Sequence, residues 1–198
     1  RAAAGCQISF PTFAAGGFDD RPEKRDEETG AAPYYVISDI IGGGMGGNPV
    51  RDGISAVDTH GGNCAILSAE VVETLSPIRV LDTRLVPGSG GAGQHRGGLA
   101  MRRDYQFLSK RSIMGAYLQQ TSALTGAWGL AGGAPGAPAA IVLNPGTPQE
   151  RTLKSKIYGL ALQAGDVMRF QASGGGGWGD PAARDPALTE TDRSEGLV

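Results

Sequence analysis

The chain has 198 residues, with 18 Lys and Arg against 20 Asp and Glu and a formal net charge of -2. That length holds one domain with a real core, and the near-neutral balance removes the electrostatic drive toward nucleic acid or an anionic membrane surface. No apolar run approaches the roughly 20 residues that span a bilayer, so a soluble, cytoplasmic protein is expected.

Residues 1–32 open on a small, weakly apolar stretch and a charge run, RPEKRDEET at 21–29. They are expected to lie on the surface and to continue a missing upstream region, because the chain starts at Arg1 without a methionine or a signal pattern. APYYVISDIIGG then predicts a strand that ends in a glycine turn. SAEVVETL at 68–75, with Ser68 as N-cap, Glu70 in the first turn and Pro77 beyond the end, predicts a short helix. PIRVLDTRLV at 77–86 alternates imperfectly and reads as a half-buried strand; LAMRRDYQFL at 99–108 and SIMGAYLQQ at 112–120 read as two more. AAIVL at 139–143, TLKSKIYGLAL at 152–162 and DVMRFQA at 166–172 follow, with QAGD at 163–166 as the turn of a hairpin between the last two. The tail, 181–198, carries helix-compatible pieces broken by Pro181 and Pro186. Together these predict a mainly β (α+β) fold: a glycine-loop-rich β domain at 33–180, a short internal helix, and an irregular or helical C-terminal tail.

Glycine is the abnormal component, 33 residues of 198, more than double the usual share of roughly 7%. The residues cluster at 42–47, 88–93, 129–138 and 174–180, without the period of collagen. Clusters between ordinary apolar segments suggest tight loops on a folded scaffold, needing positive φ or close backbone approach. Gly88, Gly90 and Gly93 match G-x-G-x-x-G, but Pro87 precedes them and a turn and strand follow, whereas a dinucleotide fingerprint joins a strand to a helix. No P-loop pattern occurs. What remains open at 88–98 is a backbone nest for an anion, with Gly90, Gly91 and Gly93 as phosphate-contact candidates and His95 and Arg96 beside them. The glycines of GGGGWGD suggest a backbone that approaches a ligand or partner closely, with Trp178 as a flat packing face.

DTHGGN at 58–63 is the second candidate. Asp58 and His60 lie two apart, on one side of an extended segment, where a carboxylate and an imidazole can share a metal or a proton. They are candidate catalytic residues, with Asn63 as an amide donor to substrate and Asp52, His95 and Arg96 as further substrate-binding candidates. The chain has two histidines, too few for an ordinary metal set, so no metal is assigned to it. Cys6 and Cys64 form no C-x-x-C pair and are read as idle thiols.

Several segments, in order, resemble one family. IGGGMGGNPVRDGISAVDTHGGN, LVPGSGGAGQHRGGLAMRRDYQFL, WGLAGGAPGAP, the K-x-x-x-x-x-L-x-x-G-D-V-x-R pattern at 156–169, GGGGWGDPAARDP and RSEGLV are similar to the C-terminal part of the hydantoinase B/oxoprolinase family. The resemblance implies a B-type component of an ATP-dependent cyclic-amide hydrolase acting on hydantoins, 5-oxoproline or lactams. A partner A-type subunit would bind ATP and Mg and phosphorylate the substrate carbonyl. The remaining B-type polypeptide would hold any divalent metal, and this chain alone would be inactive. Two further readings stay open: a subunit of an ATP-dependent ketone carboxylase of the acetone or acetophenone type, and a non-catalytic assembly module. Where many relatives read T-H-M-T-N-T, this sequence has Thr59, His60, Gly61, Gly62, Asn63 and Cys64, which leaves the substrate open.

Overall fold

The computed structural model describes residues 2–7, 11–58 and 64–198. Two antiparallel sheets face each other. The first has four strands in the order β2 (Tyr34–Ile40), β1 (Thr12–Phe18), β5 (Ser112–Tyr117) and β8 (Lys156–Leu162). The second has five: β3 (Ile78–Leu85), β4 (Met101–Phe107), β9 (Val167–Gln171), β6 (Ala140–Leu143) and β7 (Arg151–Thr152). The inward phase of each strand supplies the core, with Phe13, Tyr35, Ile37 and Met114 meeting Tyr105, Phe107, Ile141, Met168 and Phe170. Phe13 pins the sheets together, stacked on Phe170 at 5.1 Å and edge-on to Tyr105 at 4.8 Å.

The fold is mainly β, with helices α1 (Ala69–Leu75) and α2 (Pro186–Ser194) as its α part. Ser68 caps α1 by accepting from the Val71 amide. The imperfect alternation of β3 has a cause: a bulge between Val80 and Asp82 shifts the register against β4 and leaves Leu81 outside the pairing. In the tail, Pro181 opens a 3-10 turn and Pro186 opens α2, each in the first turn, where a missing N–H costs nothing. Asp180 and Asp185 cap the two pieces.

Two expectations need correction. The first 32 residues do not simply lie over the surface: β1 sits between β2 and β5, with Phe13 and Ala15 buried. Its sequence, TFAAGGF, has little intrinsic strand preference, and pairing on both sides supplies what propensity does not. QAGD does turn the chain, with Gly165 at φ +96°, but it makes no hairpin. β8 pairs with β5 in the first sheet, and β9 pairs with β4 and β6 in the second. The turn is a corner between sheets, and a local turn signal is the same in both cases.

The glycine clusters converge on residues 174–177. The amide of Gly174 donates to Ala137, that of Gly175 to Gly98, that of Gly176 to Gly5 and that of Gly177 to Ala134. Their carbonyls accept from Gly91, Gly47 and Leu130. A sheet strand has neighbours on two sides; this segment bonds to several separate segments around its axis. A Cβ on Gly175 would stand 1.9 Å from the Met45 carbonyl oxygen, and one on Gly174 1.8 Å from that of Ser89. Close approach, with no positive φ at these two positions, is what demands glycine here. What GGGGWGD approaches is the chain's own backbone.

Candidate functional site

Gly43 and Val57 exchange backbone hydrogen bonds of 3.0 and 2.9 Å, which fixes the chain just before Asp58. Asp58 then stands at the rim of a pocket of about 390 Å3 lined by Ile41, Gly42, Val57, Cys64, Ile66 and Met101 among others. Its Oδ2 accepts from the Cys64 amide at 2.7 Å, so the two positions flanking 59–63 are tied together. His60 and Asn63 lie outside the described residues.

Beneath this rim is a buried ionic group that sequence reasoning missed. Asp39 of β2 and Arg103 of β4 pair at 2.9 Å with their side chains 1% and 2% exposed. The same Arg103 Nη1 donates to the Leu67 carbonyl at 2.8 Å, and the Tyr105 hydroxyl donates to Asp39 Oδ2 at 2.7 Å. Asp39 Oδ1 accepts from the Ile40 amide at 2.9 Å and lies 3.4 Å from the Leu67 amide. Burial first, and then the Asp39 charge, push the Tyr105 hydroxyl far above the ordinary tyrosine range, so it remains a proton donor. The group joins the two sheets and anchors Leu67, just downstream of the pocket wall at 64–66. A signal did exist: Asp39 is in phase with Tyr35 and Ile37, and Arg103 with Met101, Tyr105 and Phe107, so each puts a charge on an inward face.

The structure brings Asp52, His95 and Arg96 together, and none of the three is among the residues lining that pocket. Asp52 accepts both Nη groups of Arg184, at 2.9 and 2.8 Å, and the Arg96 amide at 2.8 Å. Asp192 of α2 pairs with Arg96 at 2.9 Å and with Arg184 at 2.5 Å. Burial alone would raise the Asp52 carboxyl, but the Arg184 hydrogen bonds and charge, with help from Arg96, hold it below the usual carboxylate range. His95 Nδ1 is 3.8 Å from Asp52 Oδ1, and its backbone exchanges hydrogen bonds with Trp178. The arrangement clamps the tail to the glycine bundle. Arg184 and Asp192 are its other half, and no local motif marks them.

Gly90, Gly91 and Gly93 belong to the bundle as well. The Gly91 amide donates to Gly175, and Cβ atoms on the three would meet the backbone of Gly97, Ala134 and Trp178 at 2.1, 2.1 and 2.7 Å. No helix follows them. Among the described residues no group of three or more His, Cys, Asp or Glu side chains is gathered for a metal ion.

The family model for hydantoinase B/oxoprolinase matches residues 1–181. The chain belongs to the hydantoinase B/oxoprolinase family. The putative B-type subunit of a D-/L-hydantoinase from a Pseudomonas species is 28% identical over 83% of this chain and 28% of its own length. A 5-oxoprolinase of Pestalotiopsis fici is 30% identical over 98% of this chain and 15% of its own. In fold, the chain is similar to an ATP-dependent caprolactamase from Pseudomonas jessenii, with TM-score 0.75 and 24% identity over 100% of this chain and 34% of that one. It is also similar to an ATP-dependent acetone carboxylase, with TM-score 0.70 and 20% identity over 95% of this chain and 28% of that one. The chain thus spans about a third or less of the length of these hydantoinase B/oxoprolinase relatives and fold neighbours.

Proposed function

We propose that this chain is part of the B-type subunit of an ATP-dependent cyclic-amide hydrolase, whose A-type partner activates the ring carbonyl by phosphorylation. Family membership supports the B-type assignment, and sequence relatives named as a hydantoinase subunit and a 5-oxoprolinase support a cyclic amide. The observation that carries the site is the pocket at Asp58: mostly apolar walls with one carboxylate at the rim, bounded by both flanks of 59–63.

ATP on the partner would convert a poor leaving oxygen into a good one. This chain's contribution is to bind and orient. Ile41, Val57, Ile66 and Met101 suit the methylene arc of a small ring. Asp58 accepts a hydrogen bond from a ring N–H or from water, and His60, two residues on, acts as general acid or base, with Asn63 as an amide donor. Asp52, His95, Arg96 and the glycines at 90, 91 and 93 serve the scaffold in this reading, because the chain's own groups take up those contacts.

The test is substrate-dependent ATP turnover by the assembled complex on hydantoins, lactams and ketones, with and without bicarbonate. Hydrolysis of a cyclic amide without bicarbonate, lost on Asp58→Asn or His60→Ala, is the expected result. A bicarbonate requirement with a ketone would replace this reading with the carboxylase one, which the acetone carboxylase fold favours. Full turnover by both variants would leave the chain as an assembly module.

A further inference from the structure

The outer faces of the two sheets are built for different surroundings. On the five-stranded sheet, Arg84, Asp82, Arg102, Asp104 and Arg169 form an unbroken run of ion pairs across β3, β4 and β9, a surface suited to water. The outward phase of the four-stranded sheet is apolar. Register places Val36 of β2, Gly16 of β1 and Ile113 of β5 in one row across three strands, with Tyr34 beside Phe18 in the next. Val36 is 70% exposed, Tyr34 65%, Phe18 60%, Ile113 50%, and Tyr158 on β8 fully exposed. Single exposed apolar residues are ordinary; a continuous apolar sheet face marks an interface.

Its relief is specific. Phe18 and Tyr34 pack edge to face at 5.4 Å and form a ridge. Ala14, Gly16 and Gly17 form the floor of a trough of about 550 Å3, with Ile113 and Arg111 on its far side. A floor of the smallest residues lets bulky side chains from outside come close to the β1 backbone. Among the described residues that line the trough, Arg111 is the one that carries a charge.

We infer that this face is where the rest of the B-type polypeptide packs, through an apolar segment laid over β1 between Val36 and Ile113. The inference rests on the B-type reading above. All of this chain matches 34% of the caprolactamase chain in fold, so most of such a subunit is additional polypeptide that must be seated somewhere. The ionic sheet face offers it little, and a sheet must bury its apolar side against another layer.

The experiment is photo-crosslinking in the natural assembly, with p-benzoylphenylalanine at Val36 and, separately, at Ile113, and with Arg84 on the ionic face as control. Mass spectrometry of crosslinked peptides identifies what is held. Crosslinks from Val36 and Ile113 to B-type sequence outside these 198 residues, several-fold above those from Arg84, are expected. Crosslinks to a second copy of this chain or to the A-type subunit, or a yield no greater than from Arg84, overturn the inference. The readout does not depend on turnover. An assembly with these crosslinks but without amide hydrolysis sinks the proposed activity and keeps the interface, and the reverse result does the opposite.

Discussion

The glycine bundle and the Asp58 rim are held by opposite means. In the bundle, backbone meets backbone, and order comes from the absence of side chains at Gly174 to Gly177 and from amides bonded in several directions. At the rim, a carboxylate ties 58 to 64, and the Asp39–Arg103 pair below anchors Leu67. The segment richest in apparent ligand-binding motifs is thus occupied by its own chain. Ordinary residues between a strand end and a helix cap line the pocket.

Substitutions should separate these two regimes. Gly175→Ala sets a Cβ against carbonyl oxygen that cannot rotate away, and a loss above about 3 kcal/mol is expected, read as failure to fold or collapse of Tm. Arg103→Met leaves Asp39 charged and buried, at a cost of roughly 3–5 kcal/mol. Adding Asp39→Leu should recover part of it in denaturant unfolding; if the double variant is no more stable than the single one, the pair is not what holds the rim. Arg184→Ala should cost about 1–3 kcal/mol, because Asp52 and Asp192 lose the guanidinium they share and keep only Arg96, and should expose 184–198 to protease before the sheets open. The same clamp is acid-sensitive. Since the folded Asp52 carboxyl lies below its unfolded value, its stabilisation is present above about pH 4 and is lost as pH falls through the lowered value. Limited proteolysis of the tail across that window checks the direction. Asp58→Asn should move Tm least, by an amount equivalent to within about 0.5 kcal/mol, while substrate-dependent ATP turnover in the assembly falls.

Much of the fold was legible from local signals. Ser68 and Glu70 announce α1, and alternating apolar residues mark β2, β4, β5 and β9, because the inward phase of a half-buried strand leaves that pattern. β1 was not legible, since Ala14, Ala15, Gly16 and Gly17 carry no strand preference and become a strand only between β2 and β5. The sheet switch at Gly165 was hidden because partner choice is non-local. Asp58 stands out in the sequence through its spacing to His60. Asp39 and Arg103 are harder to read, because a charge in an apolar run looks like an outward residue until its phase is checked. The Asp52 clamp could not be read at all: Arg184 is 132 positions from its partner.

The bonds of Gly174 to Gly177 also set an order of events. Segments near residues 5, 47, 91, 98, 130 and 134–137 all bond to four residues that are synthesised after them. Until that stretch leaves the ribosome, those earlier amides and carbonyls have only water as partners. The bundle must therefore assemble late, through contacts of long sequence separation, which is the slow regime of folding. A chain released before residue 177 would keep most of its strand sequences and lack the piece that locks their loops. Such a product is a natural client for chaperones and proteases.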